Sequence, residues 1–388
     1  MVKSLQLQEI PKEVRLMLDI IKEESISSQT ISINIDWDIF LSYAIHHRLF
    51  PRIYFKIKDI ESSKIPLTVK EKLSFLYKRN TLQMLKLSGE MALIHKLLDE
   101  KDIKTLFLKG PVVAQDLYGD ISLRTSSDLD FLIPIDRLNE TEKILIEQGY
   151  EKDDYIETVL NDWRFRHHHV TYFHPHKQIK LEIHWRLHPG PGKETSFCDL
   201  WNRKRESKAM GSSVYYLGKE DLFHYLIIHG SRHGWSRLRW LDDIQQIVKQ
   251  LLDWELVYRL CKNNHHLHIA GQALILVNQL LGVKITNEMK RVVNSRKSYE
   301  LAQEAIFYLE RMVNLHTLPL PEEVAEYHKR HSISLMSSHQ KLLYLCSLFY
   351  PFPEDAEVLP LPKKMHFLYF PLRPFLWAWR KVKKPILS

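Results

Sequence analysis

Glycine is scarce in this 388-residue chain, with only 12 in all. None falls into a GxGxxG or GxxxxGK-S/T arrangement, whose bare backbone cradles phosphates. A dinucleotide oxidoreductase or a P-loop ATPase is therefore not expected. Cysteine is scarcer still: Cys198, Cys261 and Cys346 form no CxxC pair. That argues against a disulfide scaffold or a zinc ribbon and fits a reducing cytoplasm. No apolar run reaches the 18 residues of a membrane span; the longest, from Leu342 to Phe352, is interrupted by Pro351. The N-terminus, MVKSLQLQEIPKEVRLML, lacks the apolar stretch and small-residue cleavage site of a signal peptide. These absences predict a soluble cytoplasmic protein, at most peripheral at a membrane. The last 28 residues lack acid altogether and carry seven lysines and arginines. Subtracting these from the 55 basic residues leaves 48 against 47 acidic ones, so the net charge of +8 belongs almost wholly to the tail. A general nucleic-acid surface is not implied.

With 45% hydrophobic and 26% charged residues, the chain has the composition of an ordinary globular protein. Residues 1–80 read as helical, from the spacing of Val14, Met17, Leu18 and Ile21 and of Trp37, Phe40, Leu41 and Ala44. A longer helix is predicted after Asn80-Thr81, with Leu87, Met91, Ile94 and Leu98 as its apolar stripe. The period then shortens. Thr105 to Leu108 reads as a buried strand that breaks at Lys109-Gly110-Pro111, with Pro111 opening a helix to Tyr118. Leu129, Phe131 and Ile133 alternate with Asp128 and Asp130 in a second strand, and a helix follows from about Arg137 to Gln148. Residues 168–185 read as a hairpin turning near Pro175-His176-Lys177. After the Pro189-Gly190-Pro191-Gly192 linker the chain reads as helical to about Phe349. The prediction is an α+β protein: an N-terminal helical region (1–80), a small mixed sheet core (81–190), a C-terminal helical domain (191–350) and a basic, aromatic, proline-containing tail (351–388).

Strand alternation puts Asp128 and Asp130 on one face, and Glu182 and His184 on one face of the later strand. Carboxylates on one side of a sheet repel unless a positive charge sits between them. Magnesium does this with hard oxygen ligands while binding substrate phosphates. The plain alternative is a solvated strand face.

The order Leu106-Phe107-Leu108-Lys109-Gly110, then Asp128-Leu129-Asp130-Phe131-Leu132, then Leu181-Glu182-Ile183 resembles the nucleotidyltransferase superfamily of DNA polymerase β and the aminoglycoside nucleotidyltransferases. A closer resemblance, over most of residues 30–250, is to the bacterial uncharacterised nucleotidyltransferases (family 5). It is carried by Trp37 with Ala44 and Pro51, LKG at 108–110, LYGD at 117–120, Arg124 before Asp128-Leu129-Asp130, LEIHWRL at 181–187 and HGSRHGWSRLRWLDDI at 229–244. Two features depart from the broad superfamily: Lys109 stands where a small residue is usual, and the gap from Gly110 to Asp128 is long.

The resemblance implies a polymerase β-like core holding two ions, Mg2+ or Mn2+, on Asp128, Asp130 and Glu182, with an NTP as donor. Lys109, Gly110 and Arg124 are the candidate nucleotide contacts. For Lys109 the plain reading is a surface lysine, and for Arg124 a structural partner of Asp120 or Asp128. His184, His229, His233, Arg237 and Asp242 are candidates for the wall where an acceptor sits. His229 and His233 are four apart on a predicted helix, but no HExxH motif or cysteine cluster supports zinc. His167-His168-His169 reads as part of a polar hairpin. Members of the family resemble this chain in capsule, exopolysaccharide and lasso-peptide contexts. The resemblance thus implies a modified natural-product peptide or a saccharide as acceptor, rather than nucleic acid.

Two rivals remain at this level: a DxD glycosyltransferase acting from a nucleotide-sugar, and a non-catalytic binding module. The helical first hundred residues count against the first, and the retained acids against the second. In the tail, Phe367, Tyr369, Phe370, Phe375, Trp377 and Trp379 alternate with basic residues. That pattern suits a peripheral membrane contact, a grip on an acidic acceptor, or packing against the helical domain; Pro371 and Pro374 argue against one long helix there.

Overall fold

The computed structural model describes residues 4–383, apart from 23–30, 32–33, 61–63, 154–158, 160–162, 164–166, 191, 209–212, 294, 316 and 318. The fold is α+β. Seven strands, β1 (Leu106–Phe107), β2 (Asp128–Leu132), β3 (Glu151–Lys152), β4 (His169–His174), β5 (Ile179–His184), β6 (Arg205–Ser207) and β7 (Val214–Tyr216), form one mixed sheet in the order β3-β4-β5-β2-β1-β7-β6. β2 lies at the centre, antiparallel to β1 and parallel to β5. Leu129, Phe131, Leu181 and Ile183 are fully buried, each worth about 1.5–3 kcal/mol. That burial fixes which face the intervening acids occupy, because a slip of one residue would invert it.

Four helices precede the sheet: α1 (Lys12–Lys22), α2 (Trp37–His46), α3 (Phe50–Ile57) and α4 (Leu67–Asp99). Asp36 starts α2 by accepting the backbone N–H groups of Asp38 and Ile39. His95 of α4 meets Phe107 edge-on, which puts α4 against the apolar face of the sheet. Two shorter helices, α5 (Pro111–Tyr118) and α6 (Leu138–Glu147), punctuate the sheet, and the helices Lys219–Arg232 and Leu238–Lys249 cover its acidic face.

The structure corrects the sequence reading in three places. α4 does not begin at Asn80-Thr81 but runs through it. Asn80 is buried, and its amide donates to the carbonyls of Ser122 and Arg124, so a residue that resembles a helix break braces the loop before β2. The sheet also outruns the segment 81–190: β6 and β7 lie past the linker, and β7 pairs with β1. Strands of three residues leave no periodic trace. The first three predicted segments accordingly do not have separate cores, since one apolar cluster joins Leu5 to Leu335. Lastly, a helix does form across the tail prolines, Tyr369–Lys383. Pro371 sits in its first turn, where the missing N–H has no helical acceptor to lose, and only Pro374 interrupts the ladder.

Candidate active site

The parallel register sets Asp130 beside Glu182 and Asp128 beside Lys180, all on one face. His184 lies two residues past Glu182 on β5, and the antiparallel β4–β5 pairing puts His169 opposite His184. The side chains converge. Asp130 is fully buried, and its Oδ1 accepts from Lys109 Nζ at 2.8 Å and from His184 Nε2 at 3.3 Å. His184 Nε2 is also 3.6 Å from Glu182 Oε2, and His169 Nε2 is 3.9 Å from that oxygen. Lys180 donates to Glu182 Oε1 at 2.7 Å. Asp130 Oδ2 is buried and has no hydrogen-bond partner among the described residues.

Electrostatics follow from this geometry. Burial pushes the Asp130 carboxyl up, but Lys109 and the His184 hydrogen bond outweigh it and leave it below its ordinary value. Asp128 is raised, by burial and then by the neighbouring Asp130. Burial also opposes ionisation of Glu182, yet hydrogen bonding and charge from His184 hold it well below the carboxylate range. His184 is raised: burial disfavours its charged form, and the hydrogen bonds to Asp130 and Glu182 prevail. Lys109 shows the same contest, burial against Asp130, and ends above its ordinary value. Burial and His184 bring His169 down to about 4.

A divalent ion fits this set. The ligand atoms of Asp130, Glu182 and His184 lie within 4.8 Å of one another, Asp128 shares their strand face, and one buried carboxylate oxygen is without a partner among the described residues. Hard oxygen donors suit magnesium or manganese. A second group, His168, His169 and His184, adjoins it.

The acids stand at the edge of a cavity of about 480 Å3. Lys109, Asp128, Glu182, His184, His229, His233 and Arg237 line it. His233 stacks on Trp240, and His229 meets the same ring edge-on. Gly110 has φ +83°, and a Cβ there would lie 3.2 Å from the Leu129 side chain, so the turn into α5 requires glycine.

Two candidates sit elsewhere than expected. Arg124 is buried with Nε and Nη2 on the two oxygens of Asp243, at 2.9 and 3.0 Å, and pairs with neither Asp120 nor Asp128. Asp120 instead accepts from the Ser122 backbone and hydroxyl. Arg124 still touches the cavity, and its Nη1 has no partner among the described residues. Asp242 is not in the cavity wall; it is fully buried and takes Arg52 on Oδ2 and Gln246 on Oδ1, both at 3.0 Å. Adjacent helix positions point about 100° apart, so Asp242 and Asp243 serve different neighbours.

Sequence reasoning missed several lining residues: Arg48, Arg232, Arg239, Lys180, Tyr225, His168 and His169. Among the described residues none of Arg48, Arg232, Arg237 and Arg239 forms an ion pair. Burial lowers all four, Arg232 and Arg237 to about 10 and Arg239 to about 9. Tyr225, His229 and Arg232 fall at i, i+4 and i+7 of one helix, a stripe that was readable. The hairpin turn near residues 175–178 would likewise have put His169 across from His184. Nothing local marked Arg48, which sits at positive φ in the turn between α2 and α3.

Among solved structures the chain is similar to an antigenic nucleotidyltransferase-like protein from Paracoccidioides brasiliensis, at 16% identity. That match covers 54% of this chain and 97% of the other with a TM-score of 0.32, a likeness too slight to carry any inference. No curated protein matches. The sequence match that does hold runs through the sheet, the acids of β2 and β5 and the helices above them, over residues 34–282, and by it the chain belongs to the family described as uncharacterised nucleotidyltransferase.

Proposed function

We propose that this chain transfers a nucleoside monophosphate from an NTP to an acceptor hydroxyl, releasing pyrophosphate, with divalent metal held by Asp128, Asp130 and Glu182. One observation carries the reading: among the described residues, a buried carboxylate oxygen without a partner stands among clustered acids, beside a cavity ringed by arginines that form no ion pair. A buried guanidinium keeps its charge and is costly without a counter-ion. Arg237 is buried and Arg48, Arg232 and Arg239 are half-buried; four such charges around one cavity call for a polyanion, and a triphosphate supplies it.

The ions, when bound, supply charge stabilisation to the attacking and leaving oxygens of an in-line displacement. The chain's own residues do the rest. Arg48, Arg232, Arg237 and Arg239 neutralise phosphate oxygens as the α–β bridge breaks and the acceptor oxygen bonds to the α-phosphorus. Lys109, at the end of β1, contributes a further cation. Glu182 and His184 orient the acceptor hydroxyl, whose proton passes to water as its oxygen bonds to phosphorus, and the depressed pKa of Glu182 suits it to holding charge. A groove of about 700 Å3 opens from the cavity, sharing Arg48 and Arg237 with it. Arg79 and Lys86 of α4 line it beside Ile45, Leu76 and Leu82, which gives a second substrate both cations and apolar surface. The acceptor, a peptide or a saccharide, approaches there.

The test is calorimetric titration of each NTP with Mg2+ and again with EDTA, followed by a pyrophosphate assay with candidate acceptors. Metal-dependent binding and pyrophosphate release support the reading. Consumption of a nucleotide-sugar with no pyrophosphate from any NTP would replace it with sugar transfer.

A further inference from the structure

The tail helix Tyr369–Lys383 is built inside out. Its inward positions are Tyr369, Arg373, Leu376 and Arg380, spaced for one helical face. Both arginines converge on Asp355, which is fully buried at the centre of the helix Pro353–Val358: Arg373 Nη1 and Arg380 Nη2 lie 2.7 and 3.0 Å from its Oδ1. The Tyr369 hydroxyl donates to the Leu359 carbonyl and accepts from the Leu361 backbone. The tail thus folds on itself around a charge cluster. Its aromatics face outward: Phe375 is 72% exposed, Trp377 53% and Trp379 54%, with Phe367 and Met365 exposed just before them.

A second stripe adjoins it. The helix Ser338–Ser347 exposes Leu342 and Leu345, and Leu348 and Phe349 follow at its end. Tyr350 meets Phe370 edge-on at 5.1 Å, which joins the two surfaces. Of the 23 large apolar side chains exposed among the described residues, 12 lie between Leu342 and Trp379. Isolated apolar side chains are ordinary on a surface, but a concentration of this kind marks a contact.

Charge selects the partner. Residues 361–388 contain no acid. Asp355 and Glu354 neutralise Arg373 and Arg380, whereas Lys363 and Lys364 are exposed at one end of the apolar surface, and the sequence adds Lys381, Lys383 and Lys384. Aromatic rings between flanking lysines match the boundary of an anionic bilayer, where rings seat among the headgroups and ammonium groups meet phosphate. No helix among the described residues is long and apolar enough to cross a membrane, so the contact is interfacial. We propose that residues 338–383 form a docking surface for an anionic lipid bilayer, with Phe375, Trp377 and Trp379 entering the headgroup region and the lysines holding the surface charge.

The experiment is co-sedimentation of the full chain with vesicles of phosphatidylcholine alone, or with phosphatidylglycerol added. The full chain should pellet with the anionic vesicles at least tenfold better than with neutral ones, and added salt should release it. The triple variant Phe375→Ser/Trp377→Ser/Trp379→Ser should lose at least tenfold of that binding while melting like the parent, because these side chains are exposed. Lys363→Glu/Lys364→Glu should weaken binding to anionic vesicles only. Absence of binding to anionic vesicles, or binding untouched by the triple variant, overturns the proposal. So does a triple variant that merely changes a dimer into a monomer by light scattering, which would assign the face to a second copy of the chain.

Discussion

Two aspartate pairs in this molecule receive opposite treatment. Within Leu238–Lys249, Asp242 and Asp243 have every carboxylate oxygen occupied, by Arg52 and Gln246 on one and by Arg124 and Tyr118 on the other. Burial, then the nearby aspartates, keeps the Tyr118 hydroxyl protonated and donating. On β2 and β5, Asp128 and Glu182 line a cavity, and Asp130 beside them keeps one buried oxygen without a partner among the described residues. Both pairs sit amid positive charge. A saturated carboxylate ties helices together. An unsaturated one retains coordination capacity, and a folded chain tolerates that cost chiefly where a ligand recovers it.

The contrast can be broken from either side. Asp243→Ala carries the largest expected effect: it strands the buried Arg124 and should cost about 3–5 kcal/mol of stability, read from urea or thermal unfolding. A variant that melts like the parent yet is inactive would move Asp243 into the site. Asp130→Asn should do the reverse, melting near the parent while the rate falls roughly 10²–10³-fold, as for loss of one strong electrostatic group. Full activity of purified Asp130→Asn in saturating magnesium would sink the metal assignment. Lys109→Ala comes next. Losing one charge-assisted contact should weaken NTP binding about tenfold by calorimetry, with acceptor binding unchanged; the opposite pattern gives Lys109 to the acceptor. Asp242→Asn should matter least, at about 1 kcal/mol of stability, because an amide oxygen still accepts from Arg52. Its turnover should match the parent, and a selective loss of turnover would return Asp242 to the cleft.

The acids of the site were legible because strand parity is a local rule. Asp128, Asp130 and Glu182 sit on alternate positions between residues that must be buried, and that alone sets their face. His184 followed from the same parity. The carboxylate partner of Arg124 and the burial of Asp242 against Arg52 were not legible, because a partner 119 or 190 positions away leaves no mark on local spacing. The tail helix was discounted on its prolines, yet a buried Asp355 with two arginines to gather is sufficient reason for it to form.

What the sequence determined by itself was periodicity: a helical start, a short-period centre, acids on one strand face and a tail holding nearly all the net charge. What only the tertiary structure decided was pairing. The parallel register of β2 with β5 made three separate acids neighbours, and the packing of Lys219–Arg232 and Leu238–Lys249 over the sheet gathered the arginines around them. The physical reason is range. Side-chain direction along a strand or helix is fixed within a few residues, whereas the counter-charge of a buried group is found wherever the fold brings one close.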